Sequence, residues 1–149
     1  MYKRILVPLD GSDTARRGLT EAIGLARALG ASLRLLHVTT DVQWLIESAA
    51  FAYSDSLRLE QRRFGEDLLA AAEKLAEEAK IPTESRLREA IGEGAARLIV
   101  AEADGCDLIV MGTHGRKGMG RLLLGSDASI VVSDSPVPVL LVRQATTVT

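Results

Sequence analysis

The chain has 149 residues and a mass of 16.0 kDa, enough for one domain whose core needs no disulfide or metal staple. Hydrophobic residues make up 47% and charged residues 26%, which excludes a disordered polypeptide. A net charge of −2, an aromatic content of 3% and a lone Cys106 argue against a nucleic-acid surface, a base-stacking platform and an internal disulfide or multi-cysteine zinc site, respectively.

The opening apolar run stops at Pro8 and Asp10, too short for a secretory signal, and no apolar window approaches the roughly 18 residues of a membrane span. The expected address is a reducing cytoplasm, with no membrane partner. Ile5-Leu6-Val7 is short, apolar and closed by Pro8, so it reads as a strand buried on both faces. Asp10-Gly11-Ser12-Asp13 is a turn cluster ending in good N-cap residues. Ala15, Leu19, Ala22, Ile23, Ala26 and Leu29 then mark one helix face, and Gly30 stops it. Ser32 to Val38 forms a second strand. Thr39 to Ser56 has no clean period and reads as a mobile or partly helical loop carrying Trp44, Phe51 and Tyr53. Leu57, Phe64, Leu68, Ala72, Leu75 and Ala79 mark a long amphipathic helix that Ile81-Pro82 ends.

Thr83 to Glu89 is extended but polar, as suits an edge strand. Gly92 and Gly94 make a turn, and Ala95, Leu98, Ile99 and Ala103 a third helix face. Asp107 to Met111 is another apolar strand. A glycine-rich loop follows from Gly112 to Gly125, then a short helix from Ser126 to Ser133 and a last strand from Val137 to Val142, with a polar, frayed tail. Strict β-α alternation, without repeat or linker, predicts one α/β domain over residues 1–149: a doubly wound, five-stranded parallel sheet with helices on both faces. Ligands in such sheets bind beyond the carboxyl ends of the strands, which directs attention to the segments after Val7, Val38 and Met111.

The strongest chemical signal is Gly112-Thr113-His114-Gly115, then nine residues, then Gly125-Ser126. Glycines let backbone N–H groups approach oxygen, and Gly125-Ser126 opens a helix whose free amides favour an anion. The Ser126 hydroxyl can donate to a phosphate or coordinate a metal, while Arg116, Lys117 and Arg121 add positive charge. The plainer alternative is a glycine-rich turn joining strand to helix. Asp10, just past the first strand, can accept hydrogen bonds from ribose hydroxyls or can simply shape the turn beside Gly11.

These segments resemble the universal stress protein family. The resemblance rests on Gly112-x2-Gly115-x9-Gly125-Ser126, on Ile5-Leu6-Val7-Pro8-x-Asp10-Gly11-Ser12, on Asp107-Leu-Ile-Val-Met-Gly112 and on Pro136 to Val142. It implies a Rossmann-like sheet of the adenine nucleotide alpha hydrolase type, with strand order 3-2-1-4-5, that binds ATP with or without magnesium. By that resemblance Asp10 holds the ribose, the Val38 backbone faces adenine, and Met111, Gly112, Gly115, Gly125 and Ser126 line ribose and phosphates. Pro8, Leu9, His114, Arg116, Asp127 and Ala128 complete the expected binding set. The resemblance also implies a homodimer paired through the Val137–Val142 edge, which an uncovered apolar edge invites on physical grounds as well.

Asp127 departs from ease, since a carboxylate beside a triphosphate weakens binding or demands a metal unless it points away. His114 can donate to a phosphate, or be merely solvated or packed. His37 reads as a core or crevice-lining residue and Cys106 as a small packed one. The aromatics Trp44, Phe51 and Tyr53 can form a lid, a dimer contact or plain packing.

The resulting expectation is a nucleotide-dependent binding and signalling module of the stress response. It is not expected to be an enzyme, although slow ATP hydrolysis is compatible with it. A nucleotidyl transferase would carry a His-x-Gly-His signature after the first strand, where Asp10-Gly11-Ser12-Asp13 stands instead. The remaining alternative is a dimeric protein that binds partners without nucleotide.

Overall fold

The structure is a computed structural model. It describes residues 1–40, 51–114 and 124–145, with the side chains of 51–54 excepted. The elements are β1 (Arg4–Pro8), α1 (Asp13–Leu29), β2 (Ser32–Thr39), α2 (Phe51–Glu78), β3 (Thr83–Glu89), α3 (Ala95–Glu102), β4 (Leu108–Gly112), α4 (Ser126–Asp134) and β5 (Val139–Val142). All neighbouring strands pair in parallel, in the order β3-β2-β1-β4-β5. This is the sheet and strand order anticipated from the sequence.

The two-residue repeat of the strands sends alternate side chains to opposite faces. Ile5, Val7, Leu33, Leu35, Leu108 and Val110 meet Ala15, Leu19, Ala22 and Ala26 of α1 and Leu69, Ala72 and Ala76 of α2. Leu6, Leu36, Ile109 and Met111 meet Ala96 and Ile99 of α3 and Ala128 and Val131 of α4. Burying one such aliphatic side chain contributes about 1.5–3 kcal/mol.

The two edges differ as their sequences differ. β3 is charged and is tied down by a network that the periodicity does not reveal. Arg34, buried on β2, donates from Nε to Glu84 at 2.6 Å and from Nη1 to the carbonyls of Glu102 and Asp104 at 2.7 Å each. Buried Glu102 in turn faces Arg86 at 3.8 Å and Arg88 at 3.4 Å. The opposite edge, β5, starts two residues later than expected and leaves Leu140 exposed.

Two expectations are corrected. The helix read from Leu57 starts at Phe51, so residues 51–56 take the helical option of the segment read as a mobile or partly helical loop, while 41–50 lie outside the described residues. Its buried stripe is also rotated: Gly65, Leu69, Ala72 and Ala76 are buried, whereas Phe64 and Leu75 are exposed. Small residues explain the shift. A Cβ on Gly65 would come within 2.6 Å of the His37 ring and 2.7 Å of Leu87, so α2 lies closer to the sheet than larger residues would allow. The same helix ends in a left-handed residue that is not glycine. Lys80 has φ +60°, with Lys80 N–H bonding Glu77 O at 2.8 Å and Ile81 N–H bonding Ala76 O at 2.9 Å, a Schellman pattern.

Candidate functional site

In the observed order, β1 lies between β2 and β4, and the chain connections leave β1 in one direction and β4 in the other. That reversal opens a crevice beyond the carboxyl ends of β1 and β4. The turn after β1 and the segment after β4 both face it.

The turn after β1 is built by its own side chains. Asp10 Oδ1 accepts from Ser12 N–H at 2.9 Å, closing an Asx turn over Gly11, whose φ is +85°. Ser12 then caps α1, its hydroxyl accepting from Ala15 N–H at 3.1 Å. The Phe64 ring covers Gly11 so closely that a Cβ there would lie 2.8 Å from Cζ. Asp10 is thus a turn former whose second carboxylate oxygen takes no hydrogen bond from the described residues. The two readings of Asp10 are compatible in one side chain.

The neighbouring candidates differ in what they can offer. Leu9 is buried, with its N–H on Leu36 O at 2.8 Å and its carbonyl on His37 Nδ1 at 2.7 Å. Its backbone is therefore committed, and it can give a ligand shape but no polar contact. Buried His37 is a structural tie between β1 and β2, edge-to-face with Phe64 at 5.7 Å. Pro8 and Val38 are half-buried at the ends of β1 and β2.

Beyond β4, Met111 and Gly112 are buried. Gly112 has a packing reason for lacking a side chain, because a Cβ would stand 2.9 Å from the backbone of Thr14 on α1. Thr113 N–H bonds Val142 O at 3.0 Å, and Gly125 N–H bonds Thr113 O at 2.8 Å, so the start of α4 is fastened directly to the end of β4. Gly125 is the N-cap of α4 and supplies no side-chain cap. The first-turn amides of Ser126, Asp127 and Ala128 therefore present the positive helix terminus uncapped. Ser126 and Asp127 are exposed, whereas the Ala128 side chain is buried in the core, leaving only its amide for a ligand. Gly115, Arg116, Lys117 and Arg121 lie outside the described residues.

Two residues that sequence reasoning passed over hold the crevice together. Buried Thr14 donates its hydroxyl to the His114 carbonyl and lies 3.2 Å from the Ser12 hydroxyl. Buried Thr113 places its hydroxyl 3.0 Å from His114 Nδ1. His114 Nε2 is buried and has no hydrogen-bond partner among the described residues. Leaving such a group unsatisfied costs about 1–3 kcal/mol, so it calls for a polar ligand. An uncapped helix terminus, an orphaned ring nitrogen and a carboxylate at the switch point suit a phosphorylated ribose. Among the described residues, no group of three or more His, Cys, Asp or Glu side chains could hold a metal ion.

The opposite end of the sheet carries a tie of another kind. Asp107 Oδ2 accepts from Lys3 N–H at 2.8 Å and Arg4 N–H at 2.9 Å. Those backbone hydrogen bonds hold its carboxyl below the usual carboxylate range. Buried Cys106 has its thiol pushed up, chiefly by burial, which marks it as an inert packed residue.

The sequence model of the Universal stress protein family matches residues 1–143. The chain belongs to the universal stress protein family. It is 37% identical over 148 residues to the "Universal stress protein in QAH/OAS sulfhydrylase 3'region" of Thermus aquaticus, covering 96% of this chain and 100% of that one. Among solved structures, the hypothetical protein MJ0577 superposes with a TM-score of 0.86 at 27% identity, covering 99% of both chains. A universal stress protein solved in complex with cAMP superposes with a TM-score of 0.71 at 26% identity, covering 97% of this chain and 99% of that one. No helix among the described residues is long and apolar enough to cross a membrane.

Proposed function

We propose that this universal stress protein binds ATP in the crevice beyond β1 and β4 and acts as a nucleotide-dependent binding and signalling module, not as an enzyme. The observation that carries the reading is the fastening of the Asp10 turn and the uncapped α4 terminus to one strand end, through Thr14 to His114 and Gly125 to Thr113. A carboxylate and a set of free helix amides on the same crevice support a ribose and a phosphate as what they would bind. The cAMP complex of a family relative supports an adenosine phosphate as the ligand class. The spacing Gly112-x2-Gly115-x9-Gly125-Ser126 and the cations Arg116, Lys117 and Arg121 favour a polyphosphate within that class.

In this reading Asp10 takes the ribose hydroxyls and the Val38 backbone reads adenine. Pro8, Leu9 and Met111 give the pocket its shape. Gly112, Gly115, Gly125, Ser126 and the amides of Asp127 and Ala128 receive the phosphates, with His114 and Arg116 beside them. ATP brings a magnesium ion as counter-charge, and the Ser126 hydroxyl is suited to meet it. The partly exposed apolar edge of β5 serves as the homodimer contact. The chain works as a single domain in the cytoplasm.

A second reading, a dimer that binds partners without nucleotide, draws on one observation: Asp127 places a negative charge in the first turn of α4. Isothermal titration decides between them. Saturable ATP binding that Asp10→Ala and Gly125→Val weaken at least about 10-fold supports the nucleotide reading. A titration without heat at millimolar ATP, AMP and cAMP leaves the second.

A further inference from the structure

We propose that Phe64 and His37 are positioning residues for the Asp10 carboxylate, and that through them the crevice selects nucleotides with an intact ribose diol. The proposal rests on the nucleotide reading above and deepens it, giving one side chain of α2 and one of β2 a part in the choice of ligand.

Asp10 is held at the residues on either side of it. Before it, the carbonyl of buried Leu9 lies 2.7 Å from His37 Nδ1. A carbonyl oxygen only accepts, so the buried ring donates from Nδ1. After it, the Phe64 ring covers Gly11, with Cζ 2.8 Å from where a Cβ would stand. His37 and Phe64 also meet each other edge to face, their centroids 5.7 Å apart. Ser12 N–H takes Asp10 Oδ1 at 2.9 Å, which commits one carboxylate oxygen to the turn. The direction of the other oxygen is therefore set by the backbone of residues 9–12, and that backbone is packed by His37 on one side and Phe64 on the other.

An ionised carboxylate oxygen can accept two hydrogen bonds, which is what the two vicinal hydroxyls of a ribose require. Such bonds weaken steeply once bent below about 120°, so a turn that swings loses both hydroxyls together. Gly11, at φ +85°, is the residue about which this turn would swing, since glycine has the widest range of backbone conformations. The restraint comes from α2. Gly65 lets that helix lie against the sheet, because a Cβ there would stand 2.6 Å from the His37 ring, and this approach brings the neighbouring Phe64 over Gly11. Phe64 remains 39% exposed, so it does not fill the core; its ring tip is aimed at the turn. A loosened turn should thus weaken ligands that carry the diol and spare those that lack it.

The test is isothermal titration of ATP and of 2′,3′-dideoxy-ATP into the full chain and into Asp10→Ala, Phe64→Ala, His37→Phe and the double variant Asp10→Ala/Phe64→Ala. Wild type should prefer ATP by about 10-fold or more, the loss expected for hydrogen bonds to a charged group, and Asp10→Ala should abolish that preference. Phe64→Ala should weaken ATP about 3- to 10-fold and leave the dideoxy ligand unchanged. His37→Phe keeps an aromatic ring but removes the donor to Leu9, and should show the same split. In the double variant, Phe64→Ala should add nothing to the loss caused by Asp10→Ala, because it acts through that carboxylate. Since Phe64 is partly exposed, its variants carry the test if the buried His37→Phe fails to fold. Equal weakening of both ligands in Phe64→Ala, an unchanged preference, or a further loss in the double variant would overturn the assignment. A split in Phe64→Ala without one in a folded His37→Phe removes His37 from it. Wild type that binds both ligands equally well contradicts the diol selection, whereas wild type that binds neither takes down the nucleotide reading itself and this inference with it.

Discussion

The Thr14 hydroxyl donates to the backbone carbonyl of His114, joining the first turn of α1 to the end of β4 across 100 positions of sequence. Both loops that face the crevice therefore depend on one buried hydroxyl. Thr14→Val keeps the volume and removes the donor. It should cost about 1–3 kcal/mol in urea unfolding and weaken ATP more than adenosine. Thr14→Ser should recover both. Wild-type stability in the valine variant would show that the carbonyl has no need of that donor.

Glycines distinguish close packing from local freedom. Gly112→Ala pushes a methyl to 2.9 Å from the Thr14 backbone, and Gly65→Ala pushes one to 2.6 Å from the His37 ring. Each should destabilise by about 1–3 kcal/mol. Gly24, inside α1 with nothing within 4 Å of a would-be Cβ, is the contrast. Gly24→Ala should stabilise by about 0.5–1 kcal/mol. Thermal midpoints of the three variants check the signs.

Much of this architecture was legible from period and punctuation. Ile5, Leu6 and Val7 are apolar on both faces and fully buried, Gly30 ends α1 in the left-handed conformation, and the polar run Thr83–Glu89 lies at the edge. What escaped the sequence depends on partners far along the chain. Arg34 and Glu102 look like surface charges, and only the contact between β2, β3 and α3 makes them buried and satisfied. The buried stripe of α2 was misplaced because hydrophobic size was taken as the guide, whereas Gly65 and the alanines let the helix approach. At the site, the glycine spacing and Asp10 stood out. Thr14 and Thr113 did not, since a hydroxyl near a helix or strand end reads as ordinary surface. For His114 the sequence leaves a phosphate donor and a solvated or packed ring both open, and the Nε2 without a partner among the described residues appears only in three dimensions.

Lys80 occupies the left-handed position that ends α2, at φ +60°. A side chain there costs about 1–2 kcal/mol relative to glycine, partly offset by the greater freedom of glycine in the unfolded chain. Lys80→Gly should therefore stabilise by about 1 kcal/mol. Lys80→Val, β-branched, should do the reverse. Chemical denaturation of both variants measures the difference.

Asp107 sets an acid limb on stability. Its carboxyl is held below its unfolded value by the amides of Lys3 and Arg4. The stabilisation is thus complete above the unfolded value of about pH 4, and is lost as pH falls through the lower folded value. Asp107→Asn should be less stable than wild type at neutral pH, with the gap closing on acidification. A gap that stays constant from neutral to strongly acidic pH would contradict the assignment. Nucleotide affinity should not change, because Asp107 precedes β4 at the end of the sheet away from the crevice.

The most direct measurement is a map of backbone amide shifts by nuclear magnetic resonance as ATP is added to the isotope-labelled full chain. The account predicts saturable shifts gathered on residues 9–14, 38–40, 111–114 and 125–128, with Lys3, Arg4 and Asp107 still. Shifts gathered at that far end of the sheet instead, or none at millimolar ATP, would contradict it.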